Sequence, residues 1–373
     1  LILHIASHNL PQAVYLCGMQ KLRVNGRSLF LFGFMLMLLA SGCTNSGYTP
    51  MNEYSGYAQG TSFHIICDSV GPDLDTEIET IFKSIDQSMS LWDSTSVISR
   101  FNRSAGGMQV DAHFAEVFKL SKRIHAETEG AFNPAIYPIV QIWGFGPTRF
   151  ADDSISKKSV LADSMLRFTR FEDFTLSATS KDSTGKAGYF LSKKYPQNAL
   201  DFNGIAQGYT VDVICEFLDS KGIQNYMVEV GGEVRAKGKN RRGENWQIGI
   251  DKPTTEGETR IIQAIVSLEN KSLATSGNYR KFYEKEGKRL SHTINPATGK
   301  PAENMLLSTS VFAPTAAEAD AYATAFMVMG AGKATEFLKK NKSITAYLIS
   351  AGFGNDFQTW MSPELEKLID EKK

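Results

Sequence analysis

Four short clusters carry residue types able to do chemistry. Asp320 and Thr324, in Ala319-Asp-Ala-Tyr-Ala-Thr324, lie four apart on an expected helix, so their oxygens share one face. One carboxylate beside one hydroxyl suits Mg²⁺, which keeps waters and takes further ligands from phosphates rather than from an all-protein cage. The same Asp near a helix start also favours the helix dipole with no ligand at all. Asp201-Phe-Asn-Gly-Ile-Ala-Gln-Gly-Tyr209 falls at a strand-to-helix junction. There Gly204 and Gly208 permit close backbone approach, and the helix start offers unpaired N–H groups to an anion. Asp201 is equally a candidate helix cap. Glu229-Val-Gly-Gly-Glu-Val-Arg-Ala-Lys-Gly238 places paired glycines inside a strand, either a simple turn or a point of ligand approach. The last cluster joins Ala274-Thr-Ser-Gly277 to Ser291-His-Thr-Ile-Asn-Pro-Ala-Thr-Gly299. Its His292 reads as a packed structural residue or as a proton acceptor.

The elements that must hold these clusters follow from periodicity. Tyr57–Cys67 is expected to form a first strand, with Phe63, Ile65 and Cys67 on one side. Ile78, Ile81, Phe82, Ile85 and Met89 make one helical stripe, and Phe114, Val117, Phe118 and Ile124 make another that begins near Asp111. Residues 151–166 are expected to be helical, and 167–200 strands and turns with a polar insertion around Ser180–Lys186. Further on, a helix is expected at 206–220, strands near 225–238, 245–251 and 260–268, helices at 316–329 and 333–340, and a strand at 344–350. Strands and helices without regular alternation predict an α+β fold, not a doubly wound sheet. No G-x-G-x-x-G follows a strand, so that dinucleotide fingerprint is absent.

The chain has 373 residues, 42% hydrophobic, with 40 basic and 40 acidic side chains. That length and apolar share support a full core, and zero net charge disfavours a nucleic-acid binder, which needs clustered Lys and Arg. Three of the basic residues, Lys21, Arg23 and Arg27, fall in the first 42 positions, which hold no acid. The apolar run Leu29–Ala40 follows them, then Ser41-Gly42-Cys43. This is the pattern of a secretory signal, and the run is shorter than the roughly 20 residues of a membrane span. Residues 1–42 are therefore expected to be leader and signal peptide, with Met19 as the true start. Leu-Ala-Ser-Gly-Cys43 resembles a lipobox, although Leu39 stands four residues before Cys43 where three is usual. The expectation is a lipidated Cys43, residues 43–52 as tether and 53–373 as the folded domain; ordinary signal cleavage or a membrane anchor are the alternatives. Cys67 and Cys215 are expected to be buried free thiols.

Taken together and in this order, the clusters resemble the ApbE family of FAD:protein FMN transferases. The resemblance runs from about Tyr57 to Ser350. It includes Ser90-Leu-Trp-Asp-Ser-Thr-Ser-Val-Ile-Ser-Arg-Phe-Asn102, Gly130-Ala-Phe-Asn-Pro134, Trp143-Gly-Phe-Gly146 and all four clusters above. It implies a single large T-fold-related domain of mainly antiparallel sheets with packed helices.

The resemblance also implies an activity: Mg²⁺-dependent transfer of FMN from FAD to a Thr or Ser hydroxyl of a target protein, with release of AMP. By motif match, Asp320, Thr324 and the Gly204 carbonyl hold Mg²⁺. Gln59, Trp92, Ala131, Phe132, Asn133, Asp201, Gln207 and Ile294 contact FAD, and His292 is the candidate base. Several positions depart from the family pattern. Gln59 replaces a flavin-facing Met, Asn133 and Asn295 replace Asp, and Glu233 replaces the Asp after Gly231-Gly232. The implied partner is a membrane or exported redox subunit bearing a Ser/Thr acceptor motif, reached from the periplasmic side of a bacterial membrane through the lipid anchor. Two other readings use the same site: Mg²⁺-dependent FAD hydrolysis to FMN and AMP, and FAD binding without catalysis.

Overall fold

The computed structural model describes residues 49–69, 71, 73–147, 154–180, 188–253, 261–278, 282–285, 288–352 and 356–371. The expected leader and Cys43 lie outside the described residues, as does most of the polar insertion after Ser180.

The chain opens with β1 (Met51–Ala58) and β2 (Thr61–Asp68), paired antiparallel from Met51–Asp68 to Ala58–Thr61. The single strand expected at 57–67 is therefore a hairpin. Gln59 and Gly60, both at positive φ (53° and 73°), form the two-residue turn whose twist matches antiparallel strands. Pairing starts at Met51, inside the stretch read as tether.

The helices follow: α1 (Asp75–Met89), α2 (Val97–Arg103), α3 (Ala112–Glu127, capped by Asp111), α4 (Tyr137–Trp143) and α5 (Ile155–Met165). Between α2 and α3 lies β3 (Gly107–Val110). It joins β4 (Phe174–Thr179) and β5 (Gly188–Lys193) in a side sheet ordered β3-β5-β4. Helix α6 (Ala206–Ser220) leads into β6 (Tyr226–Val230) and β7 (Glu233–Lys237), joined by the Gly231-Gly232 turn. Then come β8 (Trp246–Asp251), β9 (Ile262–Leu268), β10 (Lys271–Gly277), β11 (Phe282–Lys285), β12 (Lys288–Ser291), β13 (Ile294–Asn295), β14 (Lys300–Pro301) and β15 (Leu306–Ala313). Helix α7 (Ala316–Lys340) is bent at Gly330 (φ 74°), which explains the two helices expected there. The chain closes with β16 (Thr345–Ala351), β17 (Phe357–Met361) and β18 (Ile369–Glu371).

The main sheet has eight strands in the order β1-β2-β6-β7-β10-β15-β16-β17, and every neighbouring pair is antiparallel. Both faces are covered. Side chains alternate across a strand, so Ile65 and Cys67 face α1 and α6 while Ile66 faces the small sheet β18-β9-β8. Val228 and Val230 repeat this against Met227 in β6. Helix α7 lies over β10 and β15, where Ala274, Ala313 and Ala319 allow close approach. Strands buried on both faces do not show simple polar–apolar alternation, which is why β10 and β15 were not anticipated. The α+β expectation holds, and Cys67 and Cys215 are buried free thiols in the α1–α6 core.

Candidate functional site

The first turns of α6 and α7 cross at very short range. A Cβ built on Gly208 would run into the Ala316 carbonyl and lie 2.8 Å from the Ala317 nitrogen. Only glycine allows that approach, so Gly208 is required by packing. The contact leaves two helix N-termini side by side, each with N–H groups that lack a partner within its own helix. Each helix supplies the other with an acceptor. Asp320 of α7 accepts the Gly208 N–H at 3.2 Å through Oδ2. Asp212 of α6 accepts the Ala316 and Ala317 N–H groups at 3.0 and 2.8 Å. Arg235 of β7 donates to Asp212 at 2.7 Å. Thr315 completes the α7 start by accepting the Glu318 N–H. The cap expected from Asp201 is thus provided by Asp320 from another element.

Asp320 is buried, and desolvation pushes its carboxyl up to about 7 against the pull of the Gly208 N–H. One turn on, Thr324 faces the loop before α6: a Cβ on Gly204 would lie 2.9 Å from Thr324 Oγ1. Thr324 thus lies against Gly204, and Asp320 lies one turn before Thr324 on the same helix face. The donor set is all oxygen with a single charge, which fits a hard divalent cation that keeps waters and phosphate ligands. Among the described residues there is no group of three or more His, Cys, Asp or Glu side chains able to hold a metal. A metal held at this crossing would therefore need oxygens beyond the single carboxylate.

The other expected contacts surround this crossing unevenly. Gln207 reaches the Gly231 turn, where a Cβ would meet its Nε2 at 2.7 Å and Thr61 Cγ2 at 3.0 Å. That gathers α6, the β6–β7 turn and the start of β2. Gln59, at the hairpin tip, donates to Thr210 Oγ1 of α6 at 2.8 Å, so its side chain is tied to the helix. Asp201 is partly buried, accepts the Asn203 N–H at 2.8 Å, and is raised to about 6 by burial. Its own N–H donates to the Pro134 carbonyl at 2.8 Å, bringing it to the 131–134 segment. Within that segment Asn133 is occupied locally: Oδ1 accepts from Ala135 N–H and Nδ2 donates to the Thr169 carbonyl. The Phe132 side chain is 3% exposed in the main core, and its backbone bonds to His125 and Thr128. The nucleotide contact expected of Phe132 has no side-chain surface to act through here; its ring is a core residue. Ala131 is half-buried against the same core. Trp92 is 65% exposed in the loop between α1 and α2, an apolar ring facing solvent.

His292 is set by different elements. It follows β12 and stands edge-on to Phe145, ring centroids 6.4 Å apart. Ser291 and Thr293, on either side of it, both donate to Asn278 Oδ1, at 2.7 and 2.8 Å. Trp143 Nε1 donates to the Gly299 carbonyl at 2.7 Å and pins the loop to α4. Ile294 is buried beside Ile139, Ile142 and Trp143. Asn295 accepts the Ala297 N–H at 2.9 Å, so the amide serves the Asn-Pro turn as an Asp would. Sequence reading missed Asp212 and Arg235; a carboxylate one turn beyond Gly208 was the available signal, but the α7 groups it caps lie over a hundred residues away.

Comparison with known proteins places this arrangement. The model of the ApbE family matches residues 59–348. A protein of Haemophilus influenzae named FAD:protein FMN transferase is 37% identical over 334 residues, covering 87% of this chain and 93% of its own length. A protein of the same name from Escherichia coli K12 is 35% identical, covering 81% of this chain and 83% of itself. The solved structure of flavin transferase ApbE from Vibrio cholerae superposes with a TM-score of 0.74 at 31% identity, covering 86% of this chain and 99% of its own. A family match over most of the folded residues, and relatives of this identity along most of both chains, show that the chain belongs to the ApbE family.

Proposed function

We propose that this chain is an FAD:protein FMN transferase that moves the FMN part of FAD onto a Thr or Ser hydroxyl of an acceptor protein and releases AMP. The observation that carries the reading is the meeting of two helix N-termini, where Asp320 accepts the Gly208 N–H and Thr324, one turn on, lies against Gly204. In the reaction the acceptor oxygen forms a bond to the FMN-side phosphorus, the anhydride bond breaks, and the bridging oxygen leaves with AMP. The hydroxyl proton would pass to His292, a side-chain type whose ordinary pKa lies close to neutrality. Asp320, Thr324 and the Gly204 carbonyl would hold Mg²⁺, which when bound offsets the negative charge of the pyrophosphate. Asp201 and Gln207 orient the nucleotide from the loop and first turn of α6. Exposed Trp92 offers an apolar face to the isoalloxazine ring.

The departures from the family pattern bear on substrate contacts and leave the oxygen cluster intact. The leader pattern and Leu-Ala-Ser-Gly-Cys43 support a lipid-anchored enzyme on the periplasmic side, with an exported or membrane redox subunit as acceptor. No helix among the described residues is long and apolar enough to cross a membrane.

The test incubates the full chain with FAD, Mg²⁺ and candidate acceptor domains carrying exposed Ser or Thr, followed by intact mass. An acceptor heavier by one FMN phosphoryl group, with one AMP released, supports transfer. Free FMN with AMP and no adduct would replace transfer by hydrolysis, and unchanged FAD would reduce the site to binding.

A further inference from the structure

Asp320 is aimed by the way α6 and α7 cap each other. Asp320 sits four residues after Ala316, and Asp212 sits four after Gly208, so each carboxylate is one turn beyond the residue that makes the close helix contact. The two helices are thereby cross-capped: Asp212 fixes the start of α7, and Asp320, carried on that same first turn, returns to the start of α6. Both carboxylates are 6% exposed, so neither bond is easily replaced by water. Arg235 reaches Asp212 from β7, just past the Gly231-Gly232 turn that touches Gln207. Movement of α7 along its axis is resisted by the two Asp212 acceptors before it can displace Asp320.

We propose that Asp212 is a positioning residue for the metal site: it clamps the α7 N-terminus so that one Asp320 oxygen stays on the Gly208 N–H and the carboxylate is held one turn before Thr324. This rests on the assignment of Asp320 as a metal ligand. Asp212 touches neither metal nor FAD and acts through the helix. Removing a buried charged cap loosens the first turn that carries Asp320.

The experiment uses the full chain as Asp212→Ala and Asp212→Asn, with Leu338→Ala as a control beyond the Gly330 bend. Two quantities are read: amide hydrogen exchange at Gly208 in metal-free protein, and Mg²⁺ affinity by calorimetry with FAD present. Asp212→Ala is expected to speed Gly208 exchange and weaken Mg²⁺ binding, each about tenfold, with turnover recovered by excess Mg²⁺. Asp212→Asn, which keeps one acceptor oxygen, shifts both in the same direction by less, and it carries the test if the Ala variant does not fold. Leu338→Ala lowers the melting temperature while leaving Mg²⁺ affinity unchanged. Unchanged exchange and affinity in the Asp212 variants would overturn the proposal, as would equal weakening in Leu338→Ala. If the unaltered chain binds no Mg²⁺, the metal assignment fails, while Gly208 exchange still decides whether Asp212 positions Asp320.

Discussion

The α6–α7 crossing and the 291–301 loop, which the proposed reaction would use together, are built in different ways. At the crossing, position is set by backbone: helix starts touch, buried carboxylates cap them, and Gly204 and Gly208 stand where side chains cannot fit. In the loop, position is set by side chains. Asn278 gathers Ser291 and Thr293, Trp143 holds Gly299, and His292 stands beside Phe145. The crossing cannot tolerate displacement without loss of packing. The loop is held by single hydrogen bonds such as these, each contributing about 1 kcal/mol, together with the β13–β14 pairing and the buried Ile294. Under the proposed function, the end that would bind pyrophosphate is coupled to stability, whereas His292, half-buried in the loop, is more separable from it.

The largest effect should come from the crossing. Asp320→Ala is expected to reduce FMN transfer by about a thousandfold, equivalent to about 4 kcal/mol of lost charge stabilisation. The melting temperature should also fall, because the Gly208 N–H loses its acceptor; a variant that loses activity with unchanged stability would separate site from scaffold and break the comparison. Next, Gly208→Ala should destabilise the fold by about 3 kcal/mol in denaturant titration, since its Cβ meets backbone that cannot give way. His292→Ala should slow transfer by about a hundredfold and flatten the acid limb of the pH–rate profile. Its melting temperature should stay within a degree or two of the unaltered chain; a large fall would make the loop as structural as the crossing.

The smallest effect concerns Asp201. Its folded pKa of about 6 lies above the ordinary 3.8, so the folded state holds the proton more tightly. The resulting stability is full below about pH 4 and is lost as pH rises through 6. Asp201→Asn removes the buried charge while keeping an acceptor for Asn203. It should be more stable than the unaltered chain at pH 7 by about 1 kcal/mol, after allowance for partial exposure, with the gain vanishing toward pH 4. Its affinity for FAD should fall. Equal stability of the two proteins at both pH values would remove the strain assigned to Asp201.

The contrast between regions also governs what was legible in sequence. Asp320 and Thr324 share a helix face by spacing alone, and the stripes of α1 and α3 are regular enough to place both helices. The first hairpin escaped because Gln59-Gly60 lacks the Asn or Asp that normally announces such a turn. β15 carries Ser308, Thr309 and Ser310 in its buried middle, so hydropathy does not mark it as a strand. Phe132 matched a motif, but motif order does not say which side of the backbone a ring takes. Asp212 and Arg235 matter through partners distant in the chain, and no local pattern shows that one helix caps another.

Under the proposed function the α6–α7 crossing is a divalent-cation site for a pyrophosphate. The most direct measurement is Mn²⁺ binding by electron paramagnetic resonance, with and without FAD, on the unaltered chain and on Asp320→Ala. One Mn²⁺ bound per chain, tightened by FAD and lost in Asp320→Ala while circular dichroism shows the fold retained, is the predicted result. Mn²⁺ bound equally well by the folded Asp320→Ala protein would contradict it.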